Sequence, residues 1–185
     1  MRCSAIFSFF SYANDNQNKE RIAFYFENIS EFSSKFIQTQ NNDISEGYLY
    51  IKDKRLRIDY ISPSNLIFIL KKNKGMFYNP ELSEVQYFNT HNSSGEIFFD
   101  LFNNKEFIFN SNIVSEKLGL SLKKNIIIED IEHTVKIFFE DSPLELRKIE
   151  LDNKNERTSF SIMTHNYNPD LNSDFFSLAN PLLTK

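Results

Sequence analysis

The sequence predicts an α+β fold: a twisted antiparallel meander of short strands, with one helix ahead of it and a phenylalanine-rich helix set into its middle. Three observations carry this reading. Apolar residues recur at every second position in successive short runs from Phe32 onward, the mark of half-buried strands. The runs are separated by a few turn-forming residues, too few for the crossovers that parallel strands require. Residue usage leans towards side chains that suit a pleated surface: of 185 residues, 20 are Phe and 8 Tyr, against 4 Gly and no Trp.

In order along the chain, Ile22, Phe26 and Ile29 repeat at helical spacing and define a first helix over about 18–29, with Asp15 or Asn16 as its cap. After Ser30 the period becomes two. Phe32, Ser34 and Phe36 share one face of a strand ending near Thr39, and Asn41-Asn42-Asp43 turns the chain into a strand over 44–51. There Tyr48 and Tyr50 face one way, Leu49 and Ile51 the other. Beyond the turn at Lys52-Asp53-Lys54, Leu56, Ile58 and Tyr60 alternate with Arg55, Arg57 and Asp59 until Pro63 stops the strand. Leu66 to Leu70 is apolar throughout, as in a strand covered on both faces. Short strands follow at 76–78 and around Val85 and Tyr87. Over 94–102 the meander is interrupted: Ile97 and Leu101, and Phe98 and Phe102, stand four apart, defining a short amphipathic helix. Further strands are expected at 126–131, 135–139, 144–151 and 158–163. The pattern over 111–125 does not choose between helix and strand.

Several function classes fall away. Net charge is −4 and no basic stripe occurs, which argues against nucleic acid as a partner. Cys3 is alone, so neither an internal disulfide nor a cysteine metal cluster can form. His91, His133 and His165 lack the spacing of a metal-binding helix, and no nucleophile elbow, P-loop or dinucleotide fingerprint is present. Glu129, Asp130 and Glu132 read as an acidic strand end in water, and Lys52, Lys54, Arg55 and Arg57 as a solvated strand face. No catalytic group, metal or cofactor is therefore expected. What remains is apolar. The two helices either plug the sheet or act as a lid over a cavity on its concave face, and periodicity leaves both open.

At the N-terminus, Arg2 precedes the apolar run Ala5 to Phe10, and Ser11-Tyr12-Ala13 offers small residues where a signal peptidase would cut. Residues 1–13 are read as a short or truncated export signal, and 14–185 as a single domain in the periplasm. The run is too short to span a bilayer. Cys3 lies before it, so it does not resemble a lipoprotein acylation site.

Six motifs in fixed order then resemble one family. Ile29-Ser30-Glu31-Phe32-Ser33-Ser34-Lys35-Phe36-Ile37-Gln38-Thr39 is similar to its first strand, Gly47-Tyr48-Leu49-Tyr50-Ile51-Lys52 to its second, and Arg55-Leu56-Arg57-Ile58-Asp59-Tyr60 with Ser62-Pro63 to its third. Phe77-Tyr78-Asn79-Pro80-Glu81-Leu82 resembles a characteristic hairpin; Pro143 to Lys148, and Asn168-Pro169-Asp170-Leu171 through Phe176, resemble the closing strands. The family is LolA, the outer-membrane lipoprotein carrier, and the resemblance runs from about residue 18 to 181. It implies an incomplete antiparallel β-barrel, or half-barrel, covered by a helical lid. It also implies a monomeric, non-enzymatic carrier that receives triacylated lipoproteins from the inner-membrane ABC exporter LolCDE. Delivery goes to the outer membrane, by way of the acceptor LolB where one exists. A LolB-like receptor or another lipid-binding half-barrel is the alternative; LolB would carry its acylated cysteine after the hydrophobic leader, where Cys3 does not lie.

Combined with the strand alternation, the resemblance implies a lipid-facing set. The first helix contributes Ile22 and Phe26, the sheet Phe32, Phe36, Leu49, Ile51, Leu66 and Phe68, and the lid Ile97, Phe98, Leu101 and Phe102. The family's Arg-Pro after the second strand, associated with locking the lid, is missing; Lys54 or Arg55 is nominated in its place. The usual Thr-Pro before the lid is Ser93-Ser94 here.

Overall fold

A computed structural model describes residues 6–91, 93–153 and 155–183. Helix α1 (Ile6–Glu27) leads into β1 (Glu31–Gln40), β2 (Asp43–Lys52), β3 (Arg55–Ser62), β4 (Leu66–Lys71), β5 (Lys74–Asn79) and β6 (Glu84–Asn89). Helices α2 (Ser94–Asn103) and α3 (Lys105–Phe109) follow, then β7 (Asn112–Glu116), β8 (Gly119–Ile128), β9 (Ile131–Asp141), β10 (Leu144–Asp152) and β11 (Arg157–Asn166). A 3₁₀ turn at Ser173–Phe176 lies in the C-terminal segment.

All eleven strands form one antiparallel sheet in the order β6-β5-β4-β3-β2-β1-β11-β10-β9-β8-β7. The first and last strands pair at its centre, so the two free edges, β6 and β7, are consecutive in sequence. The sheet does not close by hydrogen bonds between them. The connection between the edges is α2 and α3. Register shifts at Ser33/Lys35 on β1, Glu46/Gly47 on β2 and Leu146/Lys148 on β10 bend the central strands. The result is an α+β incomplete barrel.

One face of this sheet and one side of the helices share a single core. Phe32 and Leu146 are fully buried, and Phe36, Leu49, Ile51, Leu56, Val135, Ile137, Phe139, Ile149 and Ile162 nearly so. The alternation within β1 and β3 falls as the sequence implies, with Phe32, Ser34 and Phe36 inward and Arg55 and Arg57 outward.

Three expectations are corrected and one open stretch is assigned. Helix α1 begins by Ile6 rather than near Asn18, so Asp15 and Asn16 lie within it instead of capping it, and it ends at Glu27, leaving Ile29 outside. The apolar spacing marks the half that carries the buried Ile22 and Phe26, and no Gly or Pro interrupts the chain ahead of it. The stretch 126–131 is not one strand: Glu129 and Asp130, at φ 49° and 64°, make a two-residue turn between β8 and β9. The stretch 111–125, where the pattern favours neither helix nor strand, holds β7 and most of β8. Finally, Lys52, Arg55 and Arg57 are not a solvated face. The C-terminal segment crosses the outer side of β2–β5, and these cations donate to the carbonyl oxygens of Leu171, Ser173 and Phe175 in turn. The Arg57 guanidinium lies 3.8 Å over the Phe175 ring, which meets Tyr50 edge-on at 4.9 Å. This segment also explains why β4 is apolar on both faces: Ile69 and Met76 line the pocket under Phe175, Ala179 and Pro181.

The expected leader falls partly outside the described residues: 1–5 are not described, and 6–13 are described only as backbone of α1.

Candidate functional site

The concave face of the half-barrel is its distinctive surface, and α2 lies across it. Helix α2 is amphipathic, with Ile97, Phe98 and Leu101 buried towards the sheet. It is held by ring contacts. Phe98 meets Phe160 of β11 edge-on at 4.8 Å; Phe102 meets Phe26 of α1 edge-on at 5.1 Å and Phe32 of β1 at 6.4 Å. Such pairs contribute about 0.5–1.5 kcal/mol each beyond burial and have no hydrogen-bond partner to leave unsatisfied when they part.

Of the twelve residues singled out from the sequence, nine are buried in one core: Ile22, Phe26, Phe32, Phe36, Leu49, Ile51, Ile97, Phe98 and Leu101. Phe68 and Phe102 pack against it half-buried. Leu66 is half-buried beside the β3–β4 turn and stands apart from this cluster. Sequence reasoning missed Phe160, Phe139, Tyr60, Val135, Ile149 and Leu151. Their alternation is visible, but that the residues of β9–β11 face the helices depends on β1 pairing with β11, which no local pattern announces.

Two cavities flank the ring cluster. The larger, about 520 Å³, opens where α1 ends, between Ala23, Phe26, Ile29, Ile51, Lys54, Leu101, Phe102 and Ile108. The smaller, about 300 Å³, lies under α2 at the opposite end, with apolar walls from Ile97, Phe98, Val135, Ile149, Leu151 and Phe160. Its rim is polar. Burial pushes the Tyr60 hydroxyl up to about 12, and that hydroxyl donates to Gln38 Oε1 at 2.5 Å. Near it, His133 Nδ1 lies 2.9 Å from the Ile131 carbonyl oxygen.

The nominated latch divides. Lys54 is exposed at the mouth of the larger cavity, beside the α2–α3 junction. Arg55 points to the other face, 3.3 Å from Ser173 O, and is no lid contact: successive strand residues face opposite sides. The lid is instead tied to α1. Lys105 of α3 is ion-paired with Glu27, and Lys19 Nζ donates to the Phe109 carbonyl oxygen at 2.9 Å. At the lid's start, Thr90 Oγ1 donates to Lys72 O and Ser93 Oγ to Thr90 O. Among the described residues no cluster of three His, Cys, Asp or Glu could hold a metal ion.

An open antiparallel sheet bridged by helices over an apolar concavity defines an incomplete barrel. The family profile described as "Outer membrane lipoprotein carrier protein LolA" matches residues 27–179, and the chain belongs to the LolA family, whose members are carriers rather than enzymes. The family places the protein in the cell envelope with lipoprotein as cargo. No curated protein gives a significant match to the sequence. Among solved structures, the chain is similar to an uncharacterized conserved protein from Thermus thermophilus, at TM-score 0.54 and 7% identity over 87% of this chain and 91% of that one. It is also similar to LprF from Mycobacterium bovis, at TM-score 0.45 and 8% identity over 86% and 98%. A domain from Vibrio parahaemolyticus, provisionally described as an outer membrane lipoprotein-sorting protein, gives 0.42 and 9% over 84% and 94%. At these identities the likeness concerns the fold alone.

Proposed function

We propose that this protein carries lipoproteins through the periplasm by sheltering their acyl chains against the concave face, between α1, α2 and the sheet. LolCDE at the inner membrane is the donor, and the outer membrane, through LolB where present, the destination. The observation that carries the reading is the lid: an amphipathic helix lies over an apolar concavity, held mainly by rings, with free space at both ends.

The energetics require such a device. Leaving three acyl chains of roughly fifteen methylenes each in water costs on the order of 36 kcal/mol, at about 0.8 kcal/mol per methylene. A carrier must offset most of this and still release its cargo. A methylene fills about the space of a liquid water molecule, ~30 Å³, so those chains occupy roughly 1,300 Å³. The cavities of about 520 and 300 Å³ are smaller than that. The present form is therefore the closed one, and loading displaces α2 so that alkyl chains replace the Phe26, Phe32 and Phe102 contacts. Because rings exchange for chains of similar apolarity, opening costs little once cargo is present, and closing drives cargo out.

Placing a carboxylate in that interface tests the reading. Phe98→Glu or Leu101→Glu should abolish uptake of a fluorescent fatty acid while far-UV circular dichroism stays that of the wild type. Undiminished uptake by both variants would contradict it.

A further inference from the structure

Two neighbouring turns of the half-barrel concentrate positive charge. At the end where α1 finishes, the adjacent β2–β3 and β4–β5 turns read Lys52-Asp53-Lys54-Arg55 and Lys71-Lys72-Asn73-Lys74: six cations and one acid. The β7–β8 and β9–β10 turns at the same end carry Glu116, Lys117, Glu140 and Asp141, so the basic patch is confined to the corner formed by β2–β5.

The cations are not scattered. Lys52 is the direct cross-strand partner of Arg55, Arg55 of Lys71, and Lys71 of Lys74, so one transverse row of like charges runs over four neighbouring strands. Like charges directly opposite one another destabilise a sheet. Glu31 offsets Lys52 at 2.7 Å, but among the described residues no carboxylate is paired with the other members of the two turns. Lys54, Lys71, Lys72 and Lys74 are exposed. The row also adjoins the larger cavity: Lys54 belongs to the β2–β3 turn and lines that cavity's mouth.

We infer that this basic end is a docking surface for a bilayer rich in anionic phospholipid, which sets the mouth of the larger cavity against the lipid surface. Each lysine brought near an anionic surface adds favourable energy, and the effect is screened over a Debye length. The protein as a whole is anionic, at −4, so uniform attraction is excluded and attraction confined to the β2–β5 corner orients the molecule. The choice of a bilayer over an acidic protein surface rests on the acyl-chain reading of the adjoining cavity.

The test is flotation of the full chain with vesicles of phosphatidylglycerol and phosphatidylcholine, against vesicles of phosphatidylcholine alone. The expected result is salt-sensitive binding to the anionic vesicles only, weakened ~10-fold or more in Lys71→Gln/Lys72→Gln/Lys74→Gln. Lys35→Gln/Lys123→Gln/Arg157→Gln, which removes three charges elsewhere, should bind as the wild type does. Fatty-acid uptake is measured on the same preparations and should be unchanged in both triple variants, so loss of docking is separable from loss of carriage. Absence of an anionic preference in the wild type, or equal weakening by the two triple variants, would overturn the inference. An acidic protein surface would then be the partner of the row.

Discussion

Opposite Phe36 on the neighbouring strand stands Gly47, and a Cβ there would lie 2.2 Å from the Asp59 carbonyl oxygen and 2.7 Å from the Phe36 ring. The register shift that bends β2 against β3 falls at this residue, so the missing side chain lets the sheet curl while the ring covers the bend. Both atoms it would meet belong to the concave face or its backbone, and neither is the free end of a flexible side chain. Gly47→Ala should therefore destabilise the protein by about 1–3 kcal/mol, the usual cost of overpacking, seen as a lower urea midpoint with unchanged slope. An unchanged midpoint would mean that the curvature is not set there. At the same scale, Phe98, Phe102, Phe26 and Phe160 each spend an aromatic ring on a contact between lid and wall, which is why a single carboxylate among them is expected to be so damaging.

At the scale of elements, α2 carries a charged group that its position does not favour. Asp100 is half-buried on the lid, and burial raises its carboxyl above the usual aspartate range, countered in part by the Asn104 side chain and Lys124. Its folded-state pKa thus exceeds the unfolded one. Ionisation then penalises the folded form: the penalty is absent below the unfolded-state pKa, develops as pH rises towards the folded-state value, and is constant above it. Asp100→Asn should raise the melting temperature near pH 7 and leave it unchanged near pH 3; an equal gain at both would assign the effect to something other than charge. The lid's boundaries are legible in the sequence because Ile97/Leu101 and Phe98/Phe102 repeat with the helical period. The strands are legible because one buried face imposes alternation on each. Helix α1's front half is not, since the apolar spacing that marks the helix begins only at Ile22. Nor is the Glu129-Asp130 turn, hidden between Ile128 and Ile131, or the tie between Glu27 and Lys105, which joins elements far apart in sequence.

For the molecule as a whole, chain order decides function-bearing geometry. Pairing β1 with β11 brings both free edges to the two sides of α2 and α3, so the barrel is left open where the helices can move without breaking a strand ladder. The twelve residues nominated from the sequence lie mostly on the surface that this creates, although which later strands face the lid followed only from sheet order. The family resemblance supplied the half-barrel; alternation alone did not separate plug from lid, and the plugged core is the commoner arrangement. Plug and lid differ in what happens on loading. Native mass spectrometry of protein purified from the periplasm measures this most directly. Carriage predicts a fraction bearing the mass of a triacylated polypeptide, lost in Leu101→Glu. A wild-type spectrum showing only the bare chain, when lipoprotein export is active and detergent is absent, would contradict it.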